Sequence, residues 1–207
     1  VKLNRFERWV VASPIRRVWM GHNLSWFRRR ADLPPGRVVA EIGCGTGMAF
    51  SGIRRRFRPS LLAAFDLDLR LLRVAADRRQ APVAAADAAA LPLAPGCLDA
   101  VFCFGVLHHV PDWQRALGEI ASALRPGGLF CFEEFYPALY QNPVTRRLLV
   151  HPTENRFRSP ELAGRLAGAG LAVRHRVEIR PFYVLGTAAR VDPGSGPGRL
   201  TPPGREG

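Results

Sequence analysis

One stretch constrains the fold more than any other: Val38-Val39-Ala40-Glu41-Ile42-Gly43-Cys44-Gly45-Thr46-Gly47. It reads as a short buried strand, a glycine turn and the start of a helix over Met48 to Phe57. That helix places Ala49, Phe50, Ile53 and Phe57 on one face. Three glycines at alternate positions allow a sharp turn and let a ligand approach the main chain without meeting a Cβ. Unpaired N–H groups at the helix start suit an acidic or polar ligand group. Glu41 falls at the carboxyl end of the strand, the edge where open α/β sheets bind ligands. A Gly-rich turn alone is a weak signal, so the rest of the sequence has to decide what it holds.

Downstream, strand-like and helix-like stretches alternate. A second strand, Leu61 to Phe65, ends at Asp66, and Asp68 caps a helix through Leu71, Leu72, Ala75 and Ala76. A short alanine-rich strand, Val83 to Ala86, ends at Asp87. Leu98 to Phe104 is a stronger one and leaves through Gly105-Val106-Leu107-His108-His109. A helix from Trp113 to Leu124 stops at Pro126-Gly127-Gly128, and a fifth strand, Leu129 to Phe132, ends at Glu133-Glu134. Such alternation implies a mostly parallel sheet covered on both faces. Residues 135–158 are irregular, and Ser159-Pro160 opens another helix that Gly170 ends. Leu171 to Ile179 and Phe182 to Val191 are separated only by Arg180-Pro181. No crossover helix fits there, so this last pair is antiparallel.

The expected organisation is N-terminal cap or lid helices over 1–33, broken at Ser13-Pro14, one α/β domain over 34–191, and a disordered Gly/Pro/Ser-rich tail over 192–207. At 207 residues a single domain can bury a core without staples. No apolar run approaches the ~18 residues of a membrane span, and Arg5, Glu7 and Arg8 interrupt the first residues where a secretory leader would be apolar. Cys44, Cys97, Cys103 and Cys131 show no metal-ligand spacing, so no metal site and a reduced, cytoplasmic setting are expected. The formal charge is +13, and every basic residue but Lys2 is arginine. Such a charge attracts polyanions non-specifically, but the clusters Arg28-Arg29-Arg30 and Arg54-Arg55-Arg56 close helices, where cations complement the dipole. No dedicated nucleic-acid module is read. The aromatic N-terminal helices, with Trp9, Trp19, Trp26 and Phe27, suit a lid over a substrate site, with peripheral membrane contact as the alternative.

Glu41, Asp66 and Asp87 therefore stand at three consecutive strand ends that face one crevice. Asp66 follows Gly47 at about the distance at which a carboxylate reaches ribose hydroxyls in a βαβ nucleotide unit. The turn lacks the last glycine of the dinucleotide fingerprint, Met48 following Gly47, and lacks the Lys-Ser/Thr pair of a P-loop.

These residues, together with Phe65-Asp66-Leu67-Asp68, Ala86-Asp87-Ala88, Leu91-Pro92, Leu98-Asp99-Ala100-Val101, Val106-Leu107-His108-His109-Val110 and Leu124-Arg125-Pro126-Gly127-Gly128, resemble the class I methyltransferases that use S-adenosylmethionine. The likeness is to the type 11 group, related to the quinone-biosynthesis C-methyltransferases. It covers residues 38–135 and continues to about 191. The resemblance implies a Rossmann-like doubly wound sheet of order 3-2-1-4-5-7-6 with strand 7 antiparallel. It also implies S-adenosylmethionine as cofactor, cradled by Gly43, Cys44, Gly45 and Gly47 with Glu41 beside the amino-acid portion. Asp66 would take the ribose and Leu67 pack on the adenine. Asp87 and the Ala88 amide would take the adenine edge, and Phe104 and Gly105 would form the floor. His108, His109 and Glu134 are the candidates for a general base, although paired histidines also organise such loops by hydrogen bonding. A small, apolar or aromatic acceptor is the first expectation, with nucleic acid or a non-catalytic cofactor-binding role as alternatives. No Asn/Asp-Pro-Pro-Tyr/Phe motif follows the fourth strand, which disfavours base N-methylation.

Overall fold

The computed structural model describes residues 13–140 and 155–191. Its first element, α1 (Pro14–Arg30), begins where Ser13 accepts a hydrogen bond from the Arg16 amide and Pro14 occupies the first helical turn. Three arginines close the helix, favourable at its negative end. The expected helical segment before Ser13 lies outside the described residues.

Then follow β1 (Val38–Ile42), α2 (Phe50–Phe57), β2 (Leu61–Asp66), α3 (Leu69–Asp77), β3 (Val83–Ala85) and β4 (Leu98–Phe104). After one 3₁₀ turn (Leu107–His109) come α4 (Trp113–Ala123), β5 (Leu124–Phe135), α5 (Pro137–Tyr140), α6 (Ser159–Gly168), β6 (Leu171–Ile179) and β7 (Tyr183–Arg190). The strands form a seven-stranded sheet in the order β3-β2-β1-β4-β5-β7-β6, parallel except for β7, which runs antiparallel to both neighbours. This is the expected order and hand of pairing.

Alternation along each strand divides the core into two layers. Ala100, Phe102 and Phe104 of β4 face α1, α2 and α3, while Val101 and Cys103 face α4. Phe27 of α1 is fully buried against the rings of Phe102 and Phe104, so α1 is part of the core. On its outer side Ile15 and Val18 are exposed. No helix among the described residues is long and apolar enough to cross a membrane.

Two elements differ from expectation. β5 starts at Leu124, directly after α4, and runs through to Phe135. Arg125 to Gly128 leave the ladder, since Leu98 pairs with Leu124 and Ala100 with Leu129. Gly127 makes that bulge at φ +74°. At the far end β7 pairs with Glu133, Glu134 and Phe135, so the strand runs on to Phe135, one residue beyond the two glutamates. The expected tail from 192 and the middle of the irregular segment, including Gln141 and His151, lie outside the described residues.

Candidate active site

The glycine turn after β1 is held by amides of Gly43 and Cys44 that both donate to the Phe65 carbonyl of β2. All three glycines have positive φ, but their surroundings differ. A Cβ on Gly43 would lie 2.2 Å from Val106, and one on Gly47 2.4 Å from the Phe50 ring. A Cβ on Gly45 would meet nothing within 4 Å. Gly43 and Gly47 thus permit close packing, whereas Gly45 faces open space.

That space is a cavity of about 370 Å³ at the carboxyl edge of the sheet. The walls include Glu41, Gly43 to Thr46, Asp66, Leu67, Asp87, Ala88, Phe104, Gly105, His108 and His109. The sequence-predicted cofactor residues therefore converge, with one exception. Gly47 does not line the cavity, because its Cα is turned onto Phe50.

Glu41 is 2% exposed, and its Oε2 has no hydrogen-bond partner among the described residues. Burial holds its carboxyl well above the usual carboxylate range, the nearby Asp66 adds to this, and Arg16 opposes it. Asp66 is better supplied: its Oδ2 accepts from the Gly45 amide at 2.7 Å and its Oδ1 from the Asp68 amide at 2.9 Å. Burial still raises it, partly offset by those amides. Asp68 caps α3 through the Arg70 amide, as its position in the sequence suggests. Asp87 is exposed, and one oxygen accepts from the Ala89 amide. Burial pushes the Cys44 thiol up, with Glu41 and Asp66 reinforcing it, so this cysteine is a neutral thiol and a poor nucleophile.

The two glutamates of β5 turn away from the cavity. Glu134 is fully buried, and its Oε1 accepts from the amides of Val106 (3.0 Å) and Leu107 (2.8 Å). Its Oε2 meets the His108 amide at 3.3 Å and His108 Nδ1 at 2.8 Å. Glu133, equally buried, takes a bidentate pair from Arg16 at 2.8 and 2.9 Å and the Trp19 indole N–H at 2.7 Å. His108 lies at the cavity wall, its ring stacked near Tyr140 and His109 with Phe135 edge-on. With Nδ1–H given to Glu134, the tautomer that the network assigns carries its lone pair on Nε2. Arg156 donates to the carbonyls of His108 and Val110, which ties the segment before α6 to the same turn.

Residues 40–132 match a family model described as a methyltransferase domain. This stretch is similar to the methyltransferase domains of the type 11 group. Among curated relatives, a demethylmenaquinone methyltransferase of Corynebacterium urealyticum is 34% identical over 108 residues, 52% of this chain and 46% of that one. A malonyl-[acyl-carrier protein] O-methyltransferase of Methylovorus sp. is 32% identical over 135 residues, 58% of this chain and 45% of that one. The chain thus spans just under half the length of these relatives. An S-adenosylmethionine-dependent methyltransferase from Aquifex aeolicus has the same fold, with a TM-score of 0.72 at 16% identity over 92% of this chain and all of that one.

Several residues at this site are not among the site residues expected from the sequence. Arg16 and Met20 reach the cavity from α1, and Thr46, Met48, Leu71 and Val110 complete its lower wall. Tyr140 and Leu139 come from α5, in the segment 135–158 that reads as irregular from the sequence. For α1, the clue available in the sequence was its aromatic content, which marks a buried face without naming Arg16. Glu134, one of the predicted bases, is placed as a brace for the turn that carries His108, because three backbone amides, the His108 ring and the Cys103 thiol occupy its carboxylate.

Proposed function

We propose that this chain transfers a methyl group from S-adenosylmethionine to a small, apolar or aromatic metabolite. The observation that carries the reading is the unpaired, buried Oε2 of Glu41 beside the open cradle at Gly45. A buried carboxylate oxygen without a partner is costly unless a ligand supplies one. The cofactor's ammonium would do so, and its sulfonium supplies an electrophilic methyl group. Asp66 would take the ribose hydroxyls. Leu67, unusually exposed for a leucine at 58%, would be covered by the adenine, whose edge would meet Asp87 and the Ala88 amide. Phe104 and Gly105 would form the floor beneath the reacting carbon.

On the acceptor side the chain supplies alignment, exclusion of water and a place for the acceptor's proton. His108 is the group suited to receive it, because it lines the cavity and Glu134 meets its Nδ1 and orients the ring. His109 lies tilted beside that ring and shares the cavity wall. The acceptor wall is built of Met20, Phe135, Leu139 and Tyr140, which favours an apolar or aromatic partner. Relatives named for demethylmenaquinone, malonyl-acyl carrier and fatty-acid methylation support the small-molecule reading.

Titration calorimetry with S-adenosylhomocysteine tests the cofactor; saturable micromolar binding is expected, and none at millimolar ligand would sink the assignment. Labelled methyl transfer into an organic extract, with total RNA as a parallel arm, tests the acceptor. Incorporation confined to the RNA arm would move the acceptor to nucleic acid.

A further inference from the structure

Arg16 comes from the N-terminal helix yet stands in the wall of the cavity. Its guanidinium is fixed from behind by Glu133, both nitrogens pairing with both oxygens, and Nη2 also donates to the Phe104 carbonyl at 3.3 Å. Glu133 is anchored in turn by the Trp19 indole one helical turn along α1. This geometry sets the planar fork rigidly and uses three of its five N–H groups. The Nε–H and the second Nη1–H have no acceptor among the described residues. Arg16 and Glu41 both line the cavity, and Arg16 draws the Glu41 carboxyl down against burial and Asp66, which raise it. One end of the site therefore offers a lone carboxylate oxygen and two undirected guanidinium donors. That pair is complementary to a zwitterion, an ammonium and a carboxylate on one carbon.

We propose that Arg16 binds the α-carboxylate of the cofactor's methionine portion while Glu41 takes its α-ammonium, which makes helix α1 part of the cofactor site. The inference rests on the cofactor reading above and adds a residue and an element to it. It explains why Glu133 is spent on Arg16 rather than on chemistry: a buried carboxylate aims the cation and cancels most of its charge when the site is empty.

The test compares S-adenosylhomocysteine with 5′-methylthioadenosine, which keeps the nucleoside and sulfur but lacks the amino-acid group. Arg16→Met should weaken the first by about 10–100-fold, the range for losing a hydrogen bond to a charged group. It should leave the second within about twofold, and Arg16→Lys should recover part of the loss. Because Arg16→Met strands Glu133, the double variant Arg16→Met/Glu133→Gln is measured beside it. Hydrogen exchange on the unmodified protein gives a readout that needs no variant: S-adenosylhomocysteine should slow exchange at the amides of 17–22, and methylthioadenosine should not. Equal weakening of both ligands, or equal protection by both, would show that Arg16 only holds α1 in place and would overturn the proposal. Unchanged S-adenosylhomocysteine binding in Arg16→Met would overturn it while leaving the cofactor reading intact. Failure of the unmodified protein to bind S-adenosylhomocysteine would bring down both.

Discussion

A methyl group added at Gly45 enters empty cavity, whereas the same group at Gly43 or Gly47 drives into Val106 or Phe50. Three residues that are identical in the sequence thus fail in two different ways. Gly45→Ala keeps the packing but forces an alanine to φ +54°, at a cost of about 1–2 kcal/mol, and puts a carbon where the ligand must approach. We predict a fold that survives, with a melting temperature a few degrees lower, and S-adenosylhomocysteine affinity reduced by tenfold or more in calorimetry. Gly43→Ala should instead lose the folded state, seen as a collapsed or absent thermal transition, since its Cβ would overlap Val106 by more than side-chain adjustment absorbs. At this scale the site was partly legible. Glu41, Asp66 and Asp87 announce themselves as acids at strand ends, a pattern set by local order along the chain. Arg16 was illegible because its partner Glu133 lies 117 residues away, and only the folded sheet brings β5 beneath α1.

At the scale of elements, the end of β5 organises the site although none of its carboxylates enters the cavity. Alternation sends Glu133 to the α1 face and Glu134 to the turn after β4. The sequence reading ended the strand at these two residues and took Glu134 as a candidate base. The strand continues because β7 pairs with it as far as Phe135, and that antiparallel partner is contributed by the last part of the chain. Glu134 then gathers three backbone amides and the His108 ring, an arrangement that only an acceptor with two oxygens satisfies. Glu134→Gln replaces one oxygen by an NH₂ that must face donors. The expected loss is about 2–4 kcal/mol in urea unfolding, from buried donors left without an acceptor. It should come with a changed tautomer or mobility of His108 in nitrogen-resolved NMR spectra. An unchanged His108 signal would mean that the ring is fixed by its stacking on Tyr140 and His109 alone.

For the whole molecule, the strand order was legible from the sequence because alternating strands and helices admit few arrangements, and because Arg180-Pro181 leaves no room for a crossover. What the order does not reveal is that the sheet buries an acid whose Oε2 has no partner among the described residues, and this acid gives the global stability a pH dependence. Two carboxyls act with opposite signs. At Glu178 burial pushes the pKa up, but hydrogen bonds from Ser159, Tyr136 and Arg180 outweigh it and hold the group at about 2. Its contribution is present above the ordinary glutamate range and is lost as the pH falls toward 2. Glu41 is raised by burial, then by Asp66, so its contribution is complete below the ordinary range, near 4.3, and is lost as the pH climbs through the folded-state pKa. Glu41→Gln copies the protonated side chain and removes that loss. Below about pH 4 the variant and the unmodified protein should melt together. Above it the variant should gain by about 1.4 kcal/mol per pH unit until Glu41 ionises in the folded state, and then hold a constant lead. S-adenosylhomocysteine should reverse the ranking at neutral pH, because its ammonium stabilises the carboxylate that the variant lacks. Its binding to the unmodified protein should release a proton, measurable as a dependence of the binding heat on buffer ionisation enthalpy. If the variant gained nothing at neutral pH, Glu41 would be charged and satisfied without a ligand, and the group on which the cofactor assignment rests would have no vacancy to offer.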